Sequence, residues 1–406
     1  MVKTICLHIG LHKTATTTIQ RTLCRERSAL AGAGILYPVF YIGDAPVDNH
    51  SIPFYSLFCD NPEEYHINVR KEITTDEAIS KLHSEYRRQI ESQISGFQGE
   101  TLVISGEDIS LLSLSELVSL RSYLTGITHP DVCFRVILIC RHPVAWFKSH
   151  SQTLIVTRGI DIENHLNSLT LQSHKLENLI RTISEVFGHD CIAVFRFEDM
   201  VHHQYGPAGA FMEIIAEKTP EIIKPEIIQE NKSLNYETAQ LLNALIKCKS
   251  KSYILKLTYI DRLGQFLSGM PGRKLMLTKG QSKTVWDCLS SDANWLCNRY
   301  SLRKYEFANE DIQGDSDVWS KPTLTYLENI FAEIPRKFKI VVLREFLKKS
   351  ISTRESLPLR RRFDLLLFVL HVSKSALGLK IKTMTADVAS CCRRIQKTDF
   401  YEGENS

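Results

Sequence analysis

The chain has 406 residues, 43% of them apolar and 24% charged, with a net charge of +4; this is the balance of an ordinary globular protein long enough to bury a substantial core. It excludes a low-complexity or fibrous chain, and no internal repeat is visible. The 11 cysteines are scattered, odd in number and without a CxxC pair, which argues against a disulfide framework or a zinc site and implies a reducing, cytoplasmic setting.

The opening MVKTICLHIG reads as a first strand, VKTICLHIG (2–10), and not as a signal peptide. It runs into the loop IGLHKTATTT (9–18) and then a helical pattern, TTTIQRTLCRERSAL. Residues 40–75 are rich in Pro, Asp, Asn and aromatics and read as a long excursion over the upper edge of a sheet, where substrate loops lie. Phe40, Tyr41, Phe54 and Tyr55 there either line an acceptor cleft or pack the loop. A second strand, TLVISGED (101–108), precedes SLSELVSLRSYL, in which Ser113 and Glu116 have the spacing of a capping box. A third, CFRVILIC (133–140), precedes a helix whose first turn tolerates Pro143, and CIAVFRFED (191–199) is the fourth. Each run is dense in β-branched and apolar residues, as strands buried on both faces are. Strands alternating with helices imply βα units and a parallel sheet with helices on its faces, and ligands of such sheets bind beyond the carboxyl ends of the strands.

From about 207 to 307 the pattern is mostly helical, with Ser233 or Asn235 capping NYETAQLLNALI and SSDANWLCNRY ending a last helix. Glycine and acids break the pattern at DIQGDSDVW (311–319). The expected division is therefore a domain over 1–310 and a basic, mostly helical extension over 311–406. In that extension Arg360, Arg361 and Arg362 precede FDLLLFVLHV, an apolar run too short to span a bilayer. It either packs on the body or gives peripheral contact with a membrane surface. No feature points to nucleic acid, and the oligomeric state is not legible.

The chemistry concentrates in the first loop. A loop leaving a strand and entering a helix offers backbone N–H groups and a positive helix end to an anion. A triphosphate site spaces its residues GxxxxGK[ST]. Here Gly10 matches the first glycine, Ala15 replaces the second, Thr16 replaces the lysine, and Thr17 keeps the hydroxyl, while the cation stands earlier in the loop as Lys13. Such a loop can cradle one phosphate but lacks the lysine that spans β- and γ-phosphates, which disfavours a triphosphate kinase or hydrolase.

HKTATTT resembles the phosphosulfate loop of the sulfotransferases that use 3′-phosphoadenosine 5′-phosphosulfate (PAPS), which reads roughly K-[ST]-G-T-T. Lys13, Thr14, Thr16 and Thr17 are in register, Ala15 stands where glycine is usual, and Thr18 stands where some members carry an aromatic residue. A second element strengthens the resemblance. In VILICRHPVAWFKSHSQ, Arg141, Pro143 and Ser149 have the spacing of that family's 3′-phosphate site; taken singly, Arg141 is as readily a strand-end ion pair and Ser149 a surface residue. LYPVF, NHS (49–51), SGEDIS (105–110), FRFEDM (195–200) and NKSLNYETAQLL further resemble bacterial members that act on carbohydrates or other small acceptors. The resemblance covers roughly residues 1–307.

It implies a P-loop-like three-layer α/β fold, with PAPS as donor, adenosine 3′,5′-bisphosphate (PAP) as product and no metal. The acceptor it implies is a hydroxyl or amine of a carbohydrate or glycolipid. By the same resemblance Lys13 neutralises the bridging oxygen, Thr14, Thr16 and Thr17 hold the phosphosulfate with His12, Ala15 and Thr18 completing the loop, and Arg141 and Ser149 take the 3′-phosphate. For the general base His50 comes first, because imidazole titrates near neutral pH, and Glu107 second. His8, which alternates with apolar strand residues, reads as a core histidine, and Glu198 and Asp199 as braces of the sheet edge. The remaining alternatives are a triphosphate kinase or hydrolase and an inactive nucleotide-binding protein.

Overall fold

The computed structural model describes residues 1–169, 175–216, 234–247, 264, 266–267, 269–307 and 319–331. Ser233, residues 311–318 and the basic tail with Arg360–Arg362 lie outside the described residues. The chain forms two compact units. The first carries a five-stranded sheet of β1 (Thr4–His8), β2 (Ile35–Leu36), β5 (Thr101–Ser105), β6 (Cys133–Cys140) and β7 (Ile192–Arg196), in the order β2-β5-β1-β6-β7. All four pairings are parallel. A separate antiparallel hairpin joins β3 (Phe40–Ile42) to β4 (Ala45–Val47).

Alternation along the strands sends side chains to two cores, which makes three layers. Ile5, Leu7, Val136 and Leu138 pack on one face against Phe54, Tyr86, Leu117, Ile183 and Leu296. Cys6, Val103, Ile137 and Ile139 pack on the other against Ile19, Leu23, Phe211 and Met212. The α/β class and the parallel sheet expected from the strand runs are therefore present. The Ser113–Glu116 capping box forms, with Glu116 N–H donating to Ser113 Oγ (3.4 Å) and Ser113 N–H to Glu116 Oε2 (2.6 Å), and Pro143 opens the helix Pro143–Arg158. Residues 40–75 are not one irregular excursion, since the hairpin and the helix Ser51–Phe58 lie within them.

In the second unit, Thr238 N–H donates to Asn235 Oδ1 (2.6 Å), so Asn235 caps the helix Tyr236–Lys247. The buried Glu237 carboxylate accepts from the N–H groups of Arg273 (2.9 Å) and Trp319 (3.3 Å). Among the described residues no helix is long and apolar enough to cross a membrane.

Candidate active site

β1 is central, paired to β5 on one side and β6 on the other, and the crossover from β5 to β6 passes from one side of it to the other. The crevice beyond the carboxyl end of β1 is thus the point where a sheet of this kind receives a ligand. Three segments meet there: the loop after β1 (Ile9–Ala15), Gly106–Asp108 after β5, and Arg141–His142 after β6.

The loop's shape is fixed from outside. Thr14 Oγ1 donates to the Leu11 carbonyl (2.6 Å), Trp146 Nε1 to that of His12 (3.1 Å) and Arg141 Nη1 to that of Lys13 (2.7 Å). Three successive carbonyls are thereby occupied. Lys13 and Ala15 lie in the left-handed region, at φ 72° and 63°, and Ala15 is the residue from which the helix Thr16–Arg25 starts. Left-handed residues in such a loop turn backbone N–H groups out of the regular ladder, where they can gather on an anion such as phosphate or sulfate. Gly10 is required by close approach, because a Cβ there would stand 2.5 Å from His8 Nε2.

Two cations meet at this loop. Arg141 bonds to the main chain of Lys13, and its guanidinium lies over the Phe197 ring, 4.6 Å from the centroid. Among the described residues no ion pair claims Lys13 or Arg141. Burial lowers the pKa of both; for Lys13 the charge of Glu107 opposes it and that of Arg141 adds to it, and for Arg141 the charges of Glu198 and Tyr305 oppose it. Two half-buried like charges that feel one another favour an anion between them. Ser149 lies half-buried two turns along the helix that follows Arg141. Glu198, expected as a brace, accepts from His142 N–H (2.8 Å) and from the Tyr305 hydroxyl (3.2 Å).

The structure corrects the first choice of base. His50 is fully buried; Ser105 N–H donates to its Nδ1 (3.1 Å), and its Nε2–H donates to the Pro38 carbonyl (2.9 Å). Both ring nitrogens are occupied, and burial pushes the pKa down to about 3. A neutral, enclosed imidazole with no free lone pair cannot take a proton from an acceptor. His50 instead anchors the end of β5. Gly106 packs so tightly there that a Cβ would stand 2.5 Å from Ser51 N. Phe40 and Phe54 are likewise core residues and line no cleft.

Glu107 lies in the crevice. Its Oε1 is 3.3 Å from His12 Nδ1, and Asp108 Oδ1 is 3.6 Å from His12 Nε2. Burial pushes the Glu107 carboxyl up, but His12, Thr16 and Lys13 outweigh it and hold the pKa below the usual carboxylate range. The His12 ring therefore faces the carboxylates, and only its carbonyl belongs to the loop's frame. Thr14 is buried with its hydroxyl spent on Leu11, whereas Thr17 is exposed and Thr18 half-buried at the helix start. His8 is a core histidine, with Nδ1 2.8 Å from Ser105 Oγ and its pKa lowered to about 4 by burial. Trp146, Phe197 and Asp108 complete the site and carried no recognisable sequence signal, because each acts by where the fold puts it.

No protein-family model matches the chain, and no curated protein does. Among solved structures, the crystal structure of a sulfotransferase from Alicyclobacillus acidocaldarius aligns with 64% of this chain and 96% of that chain, at 11% identity and a TM-score of 0.33. The likeness is slight, and the functional reading rests on the site itself.

Proposed function

We propose that the chain is a PAPS-dependent sulfotransferase that moves a sulfuryl group to a hydroxyl or amine of an acceptor, a carbohydrate or glycolipid. The observation that carries this reading is a pair of cations at the end of the central strand that make no ion pair within 4 Å among the described residues: Lys13 in the loop, and Arg141, whose guanidinium bonds the Lys13 carbonyl at 2.7 Å. One anion-binding loop with a second cation beside it suits a nucleotide that carries phosphate at both the 5′ and 3′ positions. When bound, the donor supplies the sulfuryl group and a nucleotide leaving group. Lys13 neutralises the charge that grows on the bridging oxygen, which is where preorganised charge lowers a barrier most. The helix start at Thr16–Thr18 and the loop amides hold the phosphosulfate. Arg141, with Ser149 two turns beyond, takes the 3′-phosphate by charge-assisted bonds. Glu107, beside His12 of the loop, accepts the acceptor's proton.

Calorimetry with PAP, 5′-AMP and ATP tests the reading. PAP binds tightest, and Arg141→Ala abolishes its advantage over 5′-AMP; a charged hydrogen bond contributes about 1.5–3 kcal/mol, or roughly 10–100-fold in affinity. Equal affinity for PAP and 5′-AMP in the wild type, or a preference for ATP, overturns it.

A further inference from the structure

His12 stands at the one place in the crevice where a single ring touches two carboxylates. Its Nδ1 faces Glu107 Oε1 at 3.3 Å and its Nε2 faces Asp108 Oδ1 at 3.6 Å. The arrangement is held from behind: Asp108 Oδ2 accepts from the Tyr65 hydroxyl (2.8 Å), and Asp108 N–H donates to Ser51 Oγ (3.0 Å). The His12 main chain is fixed by Trp146 (3.1 Å). The ring is 37% exposed, so water and protons reach it. An imidazole enclosed in this way by two fixed acceptors is best satisfied when both nitrogens carry hydrogen.

We infer that Glu107 and His12, with Asp108 beside the ring, act as one unit in which His12 is a positioning residue whose proton sets how readily Glu107 acts as a base. This rests on the role given to Glu107 in the proposed function. With His12 protonated, Glu107 is aimed and charged, but the neighbouring positive charge makes its carboxylate a weaker base. When His12 loses that proton, its main chain stays held by Trp146, Asp108 Oδ1 stays 3.6 Å from Nε2, and Nδ1 becomes an acceptor. Glu107 can then take the acceptor's proton from O–H or N–H as the new bond to sulfur forms and the bond to the bridging oxygen breaks. The same proton can pass on to His12 Nδ1, where the two carboxylates stabilise the resulting imidazolium.

The charges that face the ring are Glu107 and Asp108 from the segment after β5 and Lys13 from its own loop. The hydrogen bond to Glu107 is the largest influence on His12 and raises its pKa, against burial and Lys13, which lower it. Tyr65 acts on the ring only through Asp108. His8 also lies within reach of the Glu107 charge, but it is buried and its pKa is lowered to about 4, so it stays neutral over the range in which His12 titrates.

Nuclear magnetic resonance titration of the whole protein decides the matter without any ligand. The His12 ring resonance is identified by its absence in His12→Gln. It is expected to titrate above 6.5, and to fall by about one unit or more in Asp108→Asn and in Glu107→Gln, the shift that an opposite charge at this distance produces. The Glu107 side-chain carboxyl carbon is expected to shift twice with pH, once at its own low value and again through that of His12; the second step disappears in His12→Gln. Glu107→Gln serves if Asp108→Asn fails to fold, because Asp108 also holds Tyr65. A His12 resonance that titrates at or below 6.5, or a single-step Glu107 carbon, overturns the inference. Neither readout depends on nucleotide binding, so calorimetry alone can sink the sulfotransferase reading while the titrating unit stands, and the reverse.

Discussion

The end of β5 borders two environments only two residues apart. Ser105 sits in the first, where His8 and His50 bond to it and Gln20 Nε2 donates to its carbonyl (3.0 Å); all four side chains are buried. Glu107 sits in the second, among His12, Lys13 and Asp108, partly open to solvent. Both contain imidazole, yet the first holds it neutral and the second favours its charge. Full burial makes histidine a structural strut even where a carboxylate charge reaches it, as Glu107 reaches His8, whereas partial exposure between two carboxylates makes it a carrier of protons. Residue type and neighbouring sequence do not distinguish the two; the partner groups do.

The sharpest way to break this comparison is to remove one member of each environment. Glu107→Gln should lower turnover about 10²–10⁴-fold, the usual contribution of a general base, with a smaller loss of thermal stability than His50→Ala. His50→Ala should do the opposite. It leaves the buried Ser105 N–H and Pro38 carbonyl without partners and opens a cavity, at a cost of roughly 3 kcal/mol, while activity per folded molecule is largely kept. Thermal melts and turnover measured side by side check both. A stable His50→Ala variant with lost turnover would restore His50 as the base.

A pH series sharpens the same contrast. His8 and His50 have folded pKa values of about 4 and about 3 against an ordinary 6.5. Below pH 6.5 the unfolded chain therefore binds protons that the folded chain refuses. Stability should fall from there downward, by up to about 1.4 kcal/mol per pH unit for each histidine. Glu107, with its lowered pKa, contributes stability above the ordinary carboxylate value of 4.5 and loses it only on further acidification. His12 acts in the opposite sense, stabilising below 6.5 and ceasing to do so as the pH rises through its raised value. Urea titrations at pH 7, 6 and 5 give the slope, and a flat profile across that range contradicts the assignment of two buried neutral rings.

The strands were legible because a parallel strand covered on both faces needs an apolar run, and β1, β5, β6 and β7 each have one. β2 has only two residues, Ile35 and Leu36, paired to Thr101 and Leu102, and so short a strand leaves no periodicity. The hairpin of β3 and β4 was hidden for another reason. Its outer edge is paired by helix side chains, with Val39 N–H donating to Gln93 Oε1 (2.8 Å) and Gln93 Nε2 returning a bond to the Val39 carbonyl (2.8 Å), and Gln89 treating Tyr41 alike (2.8 and 3.3 Å). Nothing in the segment 40–47 itself announces that partner. In the site, Lys13 and Arg141 stood out because HKTATTT and the Arg141–Ser149 spacing resemble a known family's loop and 3′-phosphate site, and Glu107 only as the second choice of base. His50 was misread because a histidine in a polar stretch looks exposed until β5 is placed against it. The role of His12 needed two distances that no spacing encodes.

The smallest expected effect concerns backbone strain, which lies in the charged environment and not in the buried one. Ala15 adopts φ 63°, where an L side chain costs roughly 1–2 kcal/mol. Glycine removes that cost but loosens the unfolded chain, which returns about 0.4–1 kcal/mol. Ala15→Gly should thus stabilise the protein by roughly 0.5–1 kcal/mol, and Ala15→Val, whose branched side chain tolerates positive φ worst, should destabilise it. Lys13, at φ 72°, carries similar strain but cannot be relieved in the same way without losing its ammonium group. Because the loop carbonyls stay tied to Thr14, Trp146 and Arg141, Ala15→Gly should leave PAP affinity within about twofold, a shift of roughly 0.4 kcal/mol. Denaturant titration and calorimetry on the two variants read both quantities. If Ala15→Gly destabilises while Ala15→Val does not, residue 15 is not left-handed, and the convergence of amides on an anion there loses its geometric basis.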